Sequence, residues 1–121
     1  MTQGEDYVRE AKLLRVVDGD TLDLEIDLGF KCYQHIRVRL KGVNTPEIYG
    51  VKKGSVEYTA GLIASDATKE WFEVHAPDGQ ILVKTYKTGK YGRWLATIRD
   101  LDTENHLNEH LDALGYGEEE Q

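Results

Sequence analysis

Three short segments carry residue types that could act on a phosphodiester: Asp20-Thr21 within "DGDT", the run from Arg39 to Glu47 in "RLKGVNTPE", and Lys90-Tyr91-Gly92-Arg93. Cleaving that bond requires a non-bridging oxygen to be neutralised, a water to be set in line and the leaving oxygen to be stabilised. Two arginines, an oxygen-ligand metal site and one extra carboxylate would meet all three needs.

Two other patterns compete for attention. The carboxylates of "DGDT" resemble half a calcium loop, but an EF-hand needs Asp or Asn at its fifth position and Gly at its sixth, where this chain has Leu22 and Asp23. "HLNEH" fits the H-x-x-E-H zinc-peptidase spacing, with His106 and His110 expected on one helical face and Glu109 between them. Such an enzyme needs a third protein ligand from downstream, and after His110 only "LDALGYGEEEQ" follows. A solvated His face is the preferred reading, and a zinc peptidase the remote alternative.

The elements that must position these residues follow from periodicity. "LLRVVDGDTLDLEIDLGF" alternates at Leu22, Leu24, Ile26 and Leu28, so two strands meeting at Asp18-Gly19 are expected. "HIRVRL" is a third strand, with Ile36, Val38 and Leu40 on one side and Arg37, Arg39 and Lys41 on the other. "GVNTPEIYGVKKGS" reads as an exposed, mobile loop. From about Ser55 to Glu73, Val56, Ala60, Ile63, Ala67 and Trp71 recur at helical steps despite Gly61. "QILVKTY" and "RWLATIRDL" are two further strands around the basic loop "KTGKYG". A short helix is expected from about Glu104 to Leu114, with Leu107, Leu111 and Leu114 inward and Gly115 as its cap. The order predicts an α+β domain: a five-stranded OB-fold-type β-barrel with one inserted helix and a short C-terminal helix. At 121 residues one domain is expected, with its core from about 13 to 115 and an acidic tail, 116–121, too polar to dock by burial.

Together, "VVDGDT", "RVRLKGVNTPE" and "KYGRWLATI" resemble, in order, the three motif segments of the staphylococcal nuclease family. The resemblance runs from about Leu13 to Gly115; each motif is weak alone, and three in order are specific. It implies an OB-fold barrel with a calcium-dependent site that cleaves DNA or RNA. By that resemblance Asp20 is a metal ligand, Arg39 a phosphate clamp, Thr45 a ligand through its carbonyl, and Glu47 the group that orients or deprotonates water. Arg93 is then the second clamp, and Lys90 and Tyr91 contact the terminal phosphate. The residue types suit these roles: each arginine offers a planar fork of donors, and hard oxygens suit calcium. Pro46 fixes the turn before Glu47. Lys52 and Lys53 are expected to reach phosphate as the loop "EIYGVKKGS" tightens on a bound nucleotide.

The chain departs from the family where Asn44 stands for a second ligand Asp. An amide oxygen brings no charge, so weaker calcium binding, or use of Mg2+ or Mn2+, is expected. The family also continues into a third helix bearing base-stacking aromatics, where this chain has Tyr116 and acids. A barrel face left open there could support a homodimer.

Charge is uneven. The net charge is −7, yet from Lys31 to Lys53 six basic residues face only Glu47, and from Lys84 to Arg99 there is no acid. A basic centre between acidic ends suits one phosphate-rich ligand better than a DNA-coating surface. The N-terminus lacks the basic-then-apolar pattern of a signal peptide, and no long apolar run occurs. A cytoplasmic protein without a membrane partner is expected, with a phage- or plasmid-encoded origin fitting such an enzyme. The single Cys32 has no zinc-finger neighbours and reads as a small core or strand residue.

Overall fold

The computed structural model describes residues 8–46, 48, 52–87, 94–102 and 105–117. Its elements are β1 (Val8–Asp18), β2 (Thr21–Gly29), β3 (Cys32–Leu40), α1 (Val56–His75), β4 (Gln80–Lys87), β5 (Trp94–Arg99) and α2 (Leu107–Leu111). The strands close into a barrel in the order β1-β2-β3-β5-β4, the predicted α+β, OB-fold-like architecture.

Alternation builds the core. Leu22, Leu24 and Ile26 of β2, Val38 and Leu40 of β3, Ile81 and Val83 of β4, and Ala96 and Ile98 of β5 are all buried and form one cluster. Leu28, expected on that face, is exposed beyond the barrel rim. There β2 and β3 meet in a turn whose Phe30 and Lys31 both take positive φ, and Phe30 is 99% exposed. Cys32 follows it as an exposed strand residue, the second of the two places expected for it. β3 and β5 run parallel, while every other neighbouring pair is antiparallel.

Helix α1 begins on Ser55, whose hydroxyl accepts the Tyr58 N–H at 3.1 Å, an N-cap contributing about 1 kcal/mol. The predicted apolar stripe is only half right. Ala67 and Trp71 face the core, but Val56 is 88% exposed and Ile63 59%. The buried face is Gly61, Ala64, Ser65 and Thr68, continuing into Trp71 and Phe72. Small residues there let the helix approach the β1–β2 turn closely, a constraint that hydrophobic periodicity does not encode.

The C-terminal helix is shorter than expected. Arg99 bridges to His106 and the Asp100 N–H donates to the Asn105 carbonyl, which holds 105–106 extended until α2 starts at Leu107. Leu107 and Leu111 are buried, but Leu114 is 52% exposed because the helix widens into a π-turn over Asp112–Tyr116. Gly115 takes φ 101° there, the left-handed conformation anticipated for a cap. Tyr116 packs on the core and Gly117 bridges to Val43, so the first two residues of the expected tail are docked. No helix among the described residues is long and apolar enough to cross a membrane.

Candidate functional site

The first two motif segments meet at one carboxylate. The β1–β2 turn delivers Asp20, only 6% exposed, and its main-chain oxygen accepts the Leu40 N–H at 2.8 Å. That bond fastens the turn to the end of β3. Register then sets Thr21 opposite Arg39. Asp20 Oδ1 accepts the Thr21 hydroxyl at 3.0 Å, while Oδ2 accepts the Thr45 N–H at 3.3 Å and lies 3.5 Å from Arg39 Nε. Arg39 Nη2 donates to Asn44 Oδ1 at 3.3 Å. Four of the residues singled out from sequence, Asp20, Arg39, Asn44 and Thr45, thus share one hydrogen-bonded cluster.

The loop bearing Asn44 and Thr45 is held from several sides. Val43 is buried and bridges to Gly117, and the Asn44 N–H donates to the Tyr116 carbonyl at 2.8 Å. Asp18 Oδ1 accepts the Ile48 N–H at 2.9 Å. Beneath the end of β3, buried Asn108 donates to the carbonyls of Lys41 and Ala96 and accepts the Ile98 N–H at 3.0 Å, tying α2 to the barrel. Helix α1 closes the underside: Thr68 donates its hydroxyl to the Gly19 carbonyl at 2.7 Å. Gly19 packs closely there: a Cβ would stand 3.0 Å from both Ala64 Cβ and Thr45 Oγ1, tighter than ordinary contact.

Asp18, Gly19, Ala64, Thr68, Asn108 and Tyr116 are therefore positioning residues that sequence reasoning did not assign. The Asp-Gly of "DGDT" offered a signal for the first two, but only as hairpin chemistry. Of the others, Thr68 and Asn108 bind main-chain groups distant in sequence with their side chains, Tyr116 acts through its carbonyl and Ala64 by being small, and none of these partners is visible in the local sequence.

The oxygens expected from sequence to meet a metal are all hard: the Asp20 carboxylate, the Asn44 amide oxygen and the Thr45 carbonyl. Thr45 Oγ1 is also buried, with no hydrogen-bond partner among the described residues. These atoms fit calcium in kind. Among the described residues no three His, Cys, Asp or Glu side chains gather into a metal-holding group. A cation at Asp20 would accordingly be met there by one carboxylate and neutral oxygens.

Glu47, Lys90, Tyr91 and Arg93 lie outside the described residues, as do Tyr49, Gly50 and Val51 of the loop expected to be mobile. Lys52 and Lys53 are exposed at the entry to α1, where the Lys52 carbonyl accepts the Ser55 N–H at 3.2 Å. Of the H-x-x-E-H residues, His106 sits at the extended N-cap of α2, while Glu109 and His110 are exposed on the helix.

One side-chain pair outside the cluster is perturbed. The hydrogen bond from Arg37 holds the Asp23 carboxyl below its ordinary 3.8, against the opposing effect of burial. The contact spans 2.7 Å across the β2–β3 ladder, where the two residues are register partners. It orders the basic strand just before Arg39.

No protein-family model matches the chain. The uncharacterized protein MJ1439 of Methanocaldococcus jannaschii is 32% identical over 121 residues, an alignment covering 88% of this chain and 56% of that protein. The chain thus spans little more than half the length of a curated relative whose own name assigns no activity.

Proposed function

We propose that this protein is a metal-dependent nuclease of the staphylococcal nuclease type, hydrolysing phosphodiester bonds of DNA or RNA. The observation that carries the reading is the convergence on Asp20: its carboxylate engages the Thr45 amide and the Arg39 guanidinium, joining the first and second motif segments at one buried point. The chain enters β5 at Trp94, directly after the third segment, and Trp94 pairs with Val38 beside Arg39.

In this reading Asp20, Asn44 and the Thr45 carbonyl hold a divalent cation, with Ca2+ the first choice and Mg2+ or Mn2+ admitted by the neutral Asn44. When bound, that ion supplies positive charge against the phosphate oxygens. Arg39 presents its guanidinium fork to a non-bridging oxygen, and Arg93 supports the leaving oxygen. Glu47 takes a proton from the attacking water or orients it. Lys90 and Tyr91 bind the terminal phosphate, and Lys52 and Lys53 add charge along the strand. A backbone-directed site of this kind recognises phosphate before base, so DNA and RNA are both candidate substrates.

The test is cleavage of single-stranded DNA, duplex DNA and RNA by the purified protein in Ca2+, Mg2+, Mn2+ or chelator, beside Glu47→Gln and Arg93→Ala. Metal-dependent cleavage lost in both variants is the expected outcome. Nucleic-acid binding without cleavage in any ion would replace the nuclease with an OB-fold binding module.

A further inference from the structure

Acid is distributed very unevenly around the barrel. β2, "TLDLEIDLG", carries three carboxylates, whereas β3, β4 and β5, "CYQHIRVRL", "QILVKTYK" and "WLATIR", contain none. Two of the β2 acids are turned on the near side of β3, Asp23 binding Arg37 at 2.7 Å and Glu25 lying 3.0 Å from His35, while Asp27 accepts the Gly29 N–H. On the far side β3 borders β5, whose outward residues beside Arg39 and Lys41 are uncharged. Leu95 pairs with Arg39 on one side and Tyr86 on the other, and Thr97 pairs with Lys84.

The outer face of β3, β5 and β4 thus presents Arg39, Leu95 and Tyr86 in one row and Thr97 and Lys84 in the next, with Lys41 just past the end of β3. Tyr86 is its focus. Lys41 Nζ lies 4.1 Å from the Tyr86 ring centroid and Lys84 Nζ 5.4 Å. Two ammonium groups gathered at one ring give a single phosphate two cations to meet. The ring itself offers a π-face that any base can stack on. Tyr86 stands two strand spacings from Arg39, about 10 Å, on the order of three stacked nucleotides at about 3.4 Å each.

We propose that this face is a second nucleic-acid contact, which takes single-stranded DNA or RNA leading away from the cleaved bond. A base stacks on Tyr86 and a phosphate bridges Lys41 and Lys84. The direction of the strand relative to cleavage rests on the nuclease reading of the Asp20 cluster; the contact itself rests on charge complementarity. A stacking platform flanked by cations suits an unpaired strand, because a duplex keeps its base faces inside the helix.

Binding in chelator separates the two readings. The probe is a fluorescein-labelled oligothymidylate of about twelve nucleotides, within the span of OB-fold sites. Anisotropy is expected to show Tyr86→Leu weakening binding about tenfold or more, with Tyr86→Phe close to the parent. Lys41→Ala is expected to lower the slope of log K against log salt by roughly 0.7, one single-strand phosphate contact. Cleavage of thymidine p-nitrophenyl phosphodiester, too short to reach Tyr86, should be unchanged in Tyr86→Leu. Parent-like oligonucleotide binding by Tyr86→Leu overturns the proposal, whether or not the protein cleaves. So does a Tyr86 loss equal for duplex and single strand. Tyr86-dependent binding by a protein that cleaves nothing keeps this contact and removes the nuclease reading.

Discussion

Replacing Gly19 by Ala tests whether helix α1 sets the position of the Asp20 turn. The backbone at Gly19 does not take the left-handed conformation, so Ala is sterically allowed by its own dihedrals and the cost is one of space. The new Cβ would meet Ala64 Cβ and Thr45 Oγ1 at 3.0 Å and the Ala64 carbonyl carbon at 3.1 Å. Overpacking of this kind costs about 1–3 kcal/mol, and the stiffer unfolded chain returns about 0.4–1, leaving a net loss between about 0 and 2.6 kcal/mol. Ala64→Gly alone costs about 1 kcal/mol of helix propensity, but it removes one of the colliding atoms. The double variant should therefore be more stable than the sum of the singles by at least about 0.5 kcal/mol. Urea unfolding of the four proteins, with equal slopes, measures each quantity. Strictly additive singles would refute the contact between turn and helix.

Three further outcomes follow from the same geometry. Thr68→Val keeps the shape but strips the Gly19 carbonyl of its 2.7 Å donor, so a loss of about 1–3 kcal/mol is expected by urea unfolding; a change within the usual surface range would show that hydrogen bond to be dispensable. Asn44→Asp adds a charge to the oxygen donors and should bind Ca2+ more tightly by calorimetric titration; equal affinity would remove Asn44 from the ligand set. The Arg37 hydrogen bond lowers the Asp23 pKa from 3.8, so the pair stabilises the fold above the unfolded carboxyl value and loses that contribution as pH falls through the lower, folded value. Arg37→Gln should flatten stability against pH in that acid window, and an unchanged profile would exclude the pair as a source of acid sensitivity.

Strands were legible because their signal is local. Alternation at Leu22, Leu24 and Ile26, or at Ile36, Val38 and Leu40, needs no knowledge of what lies opposite, and the barrel follows once five such runs must close. Helix α1 was legible in extent but not in orientation. Its buried face is chosen by Gly61, Ala64, Ser65 and Thr68, residues whose value is their small volume against a turn that lies 42 or more positions earlier in sequence. The C-terminal helix was overdrawn because the bridge between Arg99 and His106 competes for the residues that would have formed its first turn.

The candidate site divides along the same line. Asp20, Arg39, Asn44 and Thr45 were singled out from side-chain chemistry, and the structure brings those four together. What fixes them is main chain: the Leu40 amide on the Asp20 carbonyl, and the Tyr116 carbonyl on the Asn44 amide. The second bond couples the site to the C-terminal segment through a residue whose side chain is elsewhere, packed on the core. Substitution of the Asn44 side chain and displacement of Tyr116 should then be distinguishable. If Asn44 is a ligand as proposed, the first should change which ion is held while the loop keeps its place. The second frees the Asn44 amide and with it the whole approach of Thr45 to Asp20, so metal affinity and fold stability should fall together.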